Sequence, residues 1–462
     1  MKSASFPMVL LLLIGAAAAL LPATAPLKVG GPVQAGDTAW MLAAAALVLF
    51  MTPGLSFFYG GMVRRRNVIS TMLQSFICMG IVSILWIVVG FSLAFGDSIG
   101  GFIGNPMTYF MFKGVGGATQ PDLSPTIPFI LFALFQLKFA VITPALITGS
   151  FAERVKFTSY MLFIVLFILF IYTPLAHWTW HPEGFLRKMG VLDFAGGTVV
   201  HMSAGFAALA GALLLGRRND HKGEAHVPAN IPFIILGTGM LWFGWFGFNA
   251  GSALAANETA AMAFATTNTA SAAAALAWIF YDMMQGRKPS AVGACIGAVV
   301  GLVAVTPAAG FISIGASIFV GAFSAIVSHF FVSLKSKTEI DDTLDVFPCH
   351  GIGGVMGMLL TGVFAKDVGL LSGSTSTFFM HLLALLIVGA FSFVGAYVLF
   401  KVTDWIIPMR VSSEEELLGL DISQHGESLA EGDESLNFGQ ATKLAGESPM
   451  PMGLARGRSA HA

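Results

Sequence analysis

Charged residues are scarce in this chain. Only 11% of its 462 residues are Asp, Glu, Lys or Arg, against roughly 25% in soluble domains. That deficit excludes a soluble globular domain. With a net charge of −1 the chain also lacks the basic surface that nucleic acid demands. Cysteine is nearly as rare: Cys78, Cys295 and Cys349 lie far apart, in or beside apolar runs and without CxxC spacing. They read as buried free thiols, neither a disulfide framework nor a zinc site. Absent too are a Ser/His/Asp or Cys/His arrangement at suggestive spacing and a phosphate-cradling glycine loop opening a soluble α/β unit, so nothing supports an enzyme.

What the chain has in quantity is apolar sequence, 56% of its residues. About 20 apolar residues cross about 30 Å of hydrocarbon. Eleven such runs occur, near residues 39–58, 69–95, 127–148, 160–176, 198–215, 231–249, 260–281, 291–305, 315–334, 350–364 and 379–407. The eighth and tenth are short. The expected fold is an all-α polytopic membrane protein of about eleven transmembrane helices, occupying residues 37–408. Ahead of it, MKSASFPMVLLLLIGAAAALLPATA has one Lys, an apolar centre and small residues, the pattern of a secretory signal cleaved after Ala25 or a later residue such as Ala35. A retained first helix is the alternative. Behind it, residues 409–462 form a tail with nine acidic and three basic residues in 411–462, ending in Gly, Ser and Pro, which suits a solvated extension.

Charge in the loops sets the expected orientation. Alternate loops carry Arg64, Arg65, Arg66, Arg154, Lys156, Arg217, Arg218, Lys222, Arg287, Lys288, Lys335 and Lys337, whereas the others carry only Lys113, Arg187, Lys188 and Lys366. By the positive-inside rule the N-terminus lies outside and the tail is cytoplasmic. A cleaved signal gives the same answer.

Two segments place polar groups inside spans. DFAGGTVVHMSAG (193–205) opens the fifth and DVFPCHGIGG (345–354) opens the tenth. Each sets a His shortly after an Asp, with a Gly four residues beyond the His. Halves of five spans each must run in opposite senses, and such inverted repeats bring equivalent elements together near the midplane. A lone histidine in an apolar helix is more often a packed residue with one hydrogen bond. His201 and His350 at matching positions instead suggest a pair, one ring nitrogen donating and the other accepting. Two imidazoles make a poor zinc site, and HKGEAH (221–226) has ligand-like spacing only within a loop. Aromatic residues cluster near span ends: Phe135, Phe139, Trp178, Trp180, Trp242, Trp245, Phe246 and Phe248. An interfacial belt explains most of them. A few such rings beside the Ser252 hydroxyl would nevertheless suit a small monovalent cation.

Several long motifs in one order then point to a family. FFYGGMVRRRNV (57–68), FAERVKF (151–157), DFAGGTVVH (193–201), WFGWFGFNAGS (242–252), DDTLDVFPCHGIGG (341–354) and GLDISQHGES (419–428) give the chain a likeness to the ammonium transporter family. That family is the microbial and plant branch of the ammonium transporter/Rhesus superfamily, which the chain resembles over nearly its whole length. The resemblance implies two inverted five-helix halves plus an eleventh helix, three subunits each with its own pore, and ammonium uptake across the inner membrane without a cofactor. It places Trp180, Phe139 and Ser252 at an outer ammonium-recruiting site, Phe139 and Phe248 in a stacked gate, and His201 and His350 in the pore as proton relay. Asp193 would organise the recruitment site, and the tail would meet a PII-type nitrogen-regulatory protein. Lys138 departs from this picture unless it snorkels or faces a subunit contact, and the loop HPEGFLRKMGVL (181–192) is basic for an outer entrance. A Rhesus-type gas pore and a sensor are competing functions; the tail is too short for a fused enzyme.

Overall fold

The computed structural model describes residues 5–21, 26, 28–219 and 227–429. The cleavage point at Ala25, the HKGEAH loop and residues 430–462 lie outside the described residues. An N-terminal helix, Ser5–Leu20, precedes eleven long helical segments. These are α1 (Ala35–Met62), α2 (Arg65–Phe95), α3 (Phe129–Ser150), α4 (Phe157–Lys188), α5 (Gly197–Leu215), α6 (Ile231–Gly251), α7 (Glu258–Met284), α8 (Ala291–Val305), α9 (Ile314–Lys335), α10 (Phe347–Phe364) and α11 (Ser376–Ile406). Among the described residues, nine of them are long and apolar enough to cross a membrane. The other two are α7, which dilutes its apolar residues with Thr, Asn and Ser, and α8, which has only 15 residues.

Local sequence explains where several helices start. Asn230, Asn257, Ser290 and Ser313 each accept a bond from the backbone N–H three residues on, which satisfies a donor that the first turn of α6, α7, α8 or α9 leaves unpaired. Small residues let the helices approach closely. On α6, a side-chain carbon at Gly237 would fall 2.3 Å from the Phe58 backbone nitrogen of α1. The helices carry exposed apolar side chains such as Phe76, Phe243, Phe330 and Leu386, the surface a lipid-facing bundle needs.

The tail is not a solvated extension over its first part. Residues 413–425 form two short helices, α12 (Ser413–Leu418) and α13 (Leu420–His425), and Glu416, Leu420 and Asp421 are buried. Both Asp421 oxygens accept backbone N–H groups at the start of α2, from Ile69 at 3.0 Å and Ser70 at 2.7 Å. Leu420 N donates to Asn67 Oδ1 at 2.8 Å. Acids that look like solvent-facing charge are partners for distant groups, Asp421 for residues about 350 positions away and Glu416 for Asn219.

Candidate functional site

Two helices start inside the bundle, and an acid holds each start. Asp193 Oδ1 accepts from Gly196 N at 2.8 Å and Gly197 N at 2.7 Å, while Oδ2 accepts from Thr198 N at 2.7 Å and from the Thr198 hydroxyl. Those donors are the unpaired N–H groups of α5, whose dipole favours a carboxylate there. Gly196 takes φ +115°, a conformation that a side chain would strain. At the other helix the acid is Asp342, not the nearer Asp345. Its Oδ1 accepts from Val346 N at 3.1 Å and its Oδ2 from Phe347 N at 2.8 Å. Eight residues separate Asp193 from His201, and eight separate Asp342 from His350. That spacing was the available signal for Asp342, which the eye passes over in favour of the Asp beside the histidine motif.

Both histidines then fall on single π-helical turns, Gly197–Met202 and Phe347–Ile352. Such turns shift the helical register by one residue and often mark functional positions. The two helices cross at glycine: a side-chain carbon at Gly205 would lie 2.1 Å from Gly351 N, and one at Gly354 would lie 3.2 Å from His201 Cβ. This crossing brings His201 Nδ1 to 3.4 Å from His350 Nδ1, with ring centroids 5.5 Å apart. Both rings are buried, and His201 Nε2 has no hydrogen-bond partner among the described residues.

A cavity of about 530 Å³ opens at the Trp180 end of the bundle, and Trp180, Phe139, Ser252 and Asp193 all line it. Phe139 meets Trp180 edge-on at 5.7 Å and lies against Phe248 at 4.1 Å. Trp180 Nε1 donates to the Asp193 carbonyl at 3.2 Å, so the acid's segment also fixes the indole. Ser252 spends its only proton on the Phe248 carbonyl at 2.9 Å, which leaves its oxygen lone pairs as acceptors. Lys138 is not among the lining residues. Arg187 is, and it donates to the Trp180 carbonyl at 2.6 Å.

Beyond Phe248 the space narrows. A pocket of about 10 Å³ between Phe248, His201 and His350 is otherwise apolar, with Leu55, Ile142 and Val299 among its walls. A second of equal size continues past His350 toward Leu344 and Met62. Trp245, which the sequence placed only among the aromatic residues near span ends, stacks on His201 at 5.4 Å and 19° and donates to Thr306 Oγ1 at 2.9 Å. Its position three residues before Phe248 puts both rings on one face of α6, a signal available in the sequence.

At the Asp342 end a polar network joins loops to tail. Arg218 bonds Asp341 through Nε and Nη2 at 2.9 Å each and Glu153 at 2.8 Å. Burial works against the ionised Asp341, yet the Arg218 guanidinium overrides it and holds that carboxyl well below the usual range. Arg154, fully buried, donates to the Asp341 carbonyl and at 2.7 Å to Thr343 Oγ1, and Val411 N of the tail donates to the Arg154 carbonyl at 3.1 Å.

Apolar spans, a wide aromatic-lined cavity and narrow apolar pockets lined by two facing imidazoles suit a multi-pass membrane transporter. The comparisons agree. The Ammonium Transporter Family profile matches residues 39–429. The ammonium transporter of Aquifex aeolicus is 48% identical over 402 residues, 86% of this chain and 93% of that protein. The ammonium transporter of Bacillus subtilis is 46% identical over 405 residues, 86% of this chain and 98% of that protein. Among solved structures, Candida albicans Mep2 superposes with a TM-score of 0.79 at 35% identity, covering 86% of this chain and 90% of its own. The chain belongs to the ammonium transporter family.

Proposed function

We propose that the protein takes up ammonium across the cytoplasmic membrane, capturing the cation at the Trp180 mouth and passing it through the lumen as ammonia. The observation that carries this reading is the 3.4 Å His201–His350 pair, which lines a narrow apolar pocket beyond Phe139 and Phe248 of the aromatic cavity. Trp180 and Phe139 attract a cation through their ring faces, a contribution of about 0.5–2 kcal/mol, while Ser252 Oγ accepts one of its N–H bonds. Asp193 adds its negative field, although its oxygens are committed to backbone donors. Phe139 and Phe248 then close the way to anything hydrated.

Solvation dictates the next step. Moving a strongly hydrated cation whole into an apolar lumen incurs several kcal/mol after relaxation. Ammonia is neutral and replaces lost water with single bonds to imidazole. Ammonium therefore gives up its proton at the mouth. The shared Nδ1 contact requires one ring to donate and the other to accept, so the two histidines hold opposite tautomers. A proton received at one outer nitrogen moves the shared proton across and releases another at the far ring, which inverts both tautomers. Net charge crosses with the nitrogen.

Counting α7 and α8 gives eleven spans, with the paired starts at Asp193 and Asp342 as the halves of an inverted repeat. The loop charges put the Trp180 mouth outside and the tail in the cytoplasm, where a PII-type regulatory protein is the proposed partner; three copies form the assembly. Stepping the ammonium concentration over purified protein in vesicles tests the function. Inward charge movement is expected, and ammonia flux without current would favour the Rhesus-type gas pore instead.

A further inference from the structure

The two mouths share an acid-capped helix start but differ in what meets the acid. Asp193 forms no ion pair among the described residues and lines an open cavity. The nearby Arg187 is turned onto the Trp180 carbonyl at the end of a helix. At the opposite mouth Lys335, the last residue of α9, donates from Nζ to the Asp342 carbonyl at 2.7 Å and pairs with Asp345 at 2.6 Å. Its side chain is largely buried, 18% exposed. Asp345 follows Leu344, a wall of the last narrow pocket below His350, and Asp342 lies two residues before it. That pocket has no indole; its aromatic walls include Phe58 and Tyr59, whose hydroxyl donates to the Leu146 carbonyl at 2.9 Å.

We propose that Lys335 is a specificity-determining residue of transport: its ammonium group offsets one of the two acids of the inner mouth, so that ammonium is captured less well from inside than from outside. Without that charge, Asp342 and Asp345 would form a second cation-attracting mouth at the position that Asp193 occupies outside. The inference rests on the transport reading and orientation given above. It concerns the concentration at which each face saturates, because no residue of a passive conductor changes the equilibrium gradient. The charged groups around the site are Asp341, Asp342 and Asp345 of the loop and Lys335 of α9; Arg154 and Arg218 are engaged by the Asp341 carbonyl and carboxylate. Burial pushes the Asp342 carboxyl up to about 6, with Lys335 acting to keep it ionised. One ammonium against two carboxylates leaves a single uncompensated carboxylate at the lumen's end, where loss of the ammonium would leave two.

The test uses full-length protein in vesicles of one orientation, with ammonium stepped at one face at a time and currents recorded. In wild type the half-saturating concentration is higher at the inner face than at the outer. Lys335→Gln lowers the inner value about three- to tenfold, the effect of uncovering one partly screened charge, and leaves the outer value and maximal current unchanged. Lys335→Arg behaves as wild type, and Lys335→Gln with Asp345→Asn, which restores the charge balance, returns the inner value toward wild type. An unchanged inner value in Lys335→Gln overturns the proposal, as does a parallel shift at both faces, which marks Lys335 as a structural cap of α9. A wild type that carries no ammonium current overturns the transport reading itself, and this inference with it.

Discussion

In the proposed capture site Trp180 and Ser252 have different tasks. The indole face would supply electrostatic attraction without taking a proton, and the hydroxyl, its own hydrogen held by Phe248, would supply one directed acceptor. Trp180→Leu should raise the outer half-saturating ammonium concentration roughly two- to thirtyfold, the range that follows from about 0.5–2 kcal/mol of cation–π attraction. Maximal current should change less, because the lumen below is intact. Ser252→Ala should act in the same direction with a smaller shift. Concentration-dependent currents on the two variants check both expectations. A fall in maximal current without a shift in half-saturation would move these residues from capture to conduction.

Helices carry the next level of the account, because the histidines meet only where α5 and α10 cross at glycine. Much of that was legible beforehand. Except at the end of α4, which runs on to Lys188, the apolar runs locate the long helices to within a few residues, and both histidines, the aromatic cluster and Asp193 stand out as polar or bulky groups in apolar sequence. Three things were not. The π turns that aim the rings leave no composition signature. Asp342 was hidden behind Asp345, since the informative quantity was a spacing of eight residues and not proximity to the histidine. The docked tail was read as solvated charge because the partners of Asp421 and Glu416 are distant backbone and amide groups, around Ile69 and Asn219, that no local pattern reveals. Asp421→Ala removes acceptors from two helix-start donors, a loss of about 1–2 kcal/mol for a cap. Amide exchange across residues 412–426 should accelerate while the spans stay protected; unchanged protection would show that other contacts hold the tail.

The Arg218–Asp341 clasp has a pH signature that follows from its sign. Asp341 is held below its ordinary range, so its ionised form favours the fold; the contribution is complete above that range and is lost as pH falls below it toward the depressed value. The difference in unfolding temperature between wild type and Asp341→Asn should therefore be large at pH 7 and shrink steadily below about pH 4. A difference that stays constant with pH would assign the effect to packing.

Across the whole molecule charge is scarce, and the basic residues of the loops carry the proposed sidedness. All three cysteines are buried, so a single introduced thiol reports against a quiet background. Lys188→Cys should react with an impermeant maleimide on intact cells and Arg287→Cys only after permeabilisation; the reverse pattern would invert the proposed orientation. The purified protein should have the mass of three chains by light scattering. The central claim is that two imidazoles in contact carry the proton while ammonia passes beside them. Recording ammonium-evoked currents from oriented vesicles across a range of pH, with wild type and His350→Ala side by side, tests it most directly. The account predicts that the variant loses most of the current and its pH dependence; a variant whose current and pH dependence both match wild type would contradict it.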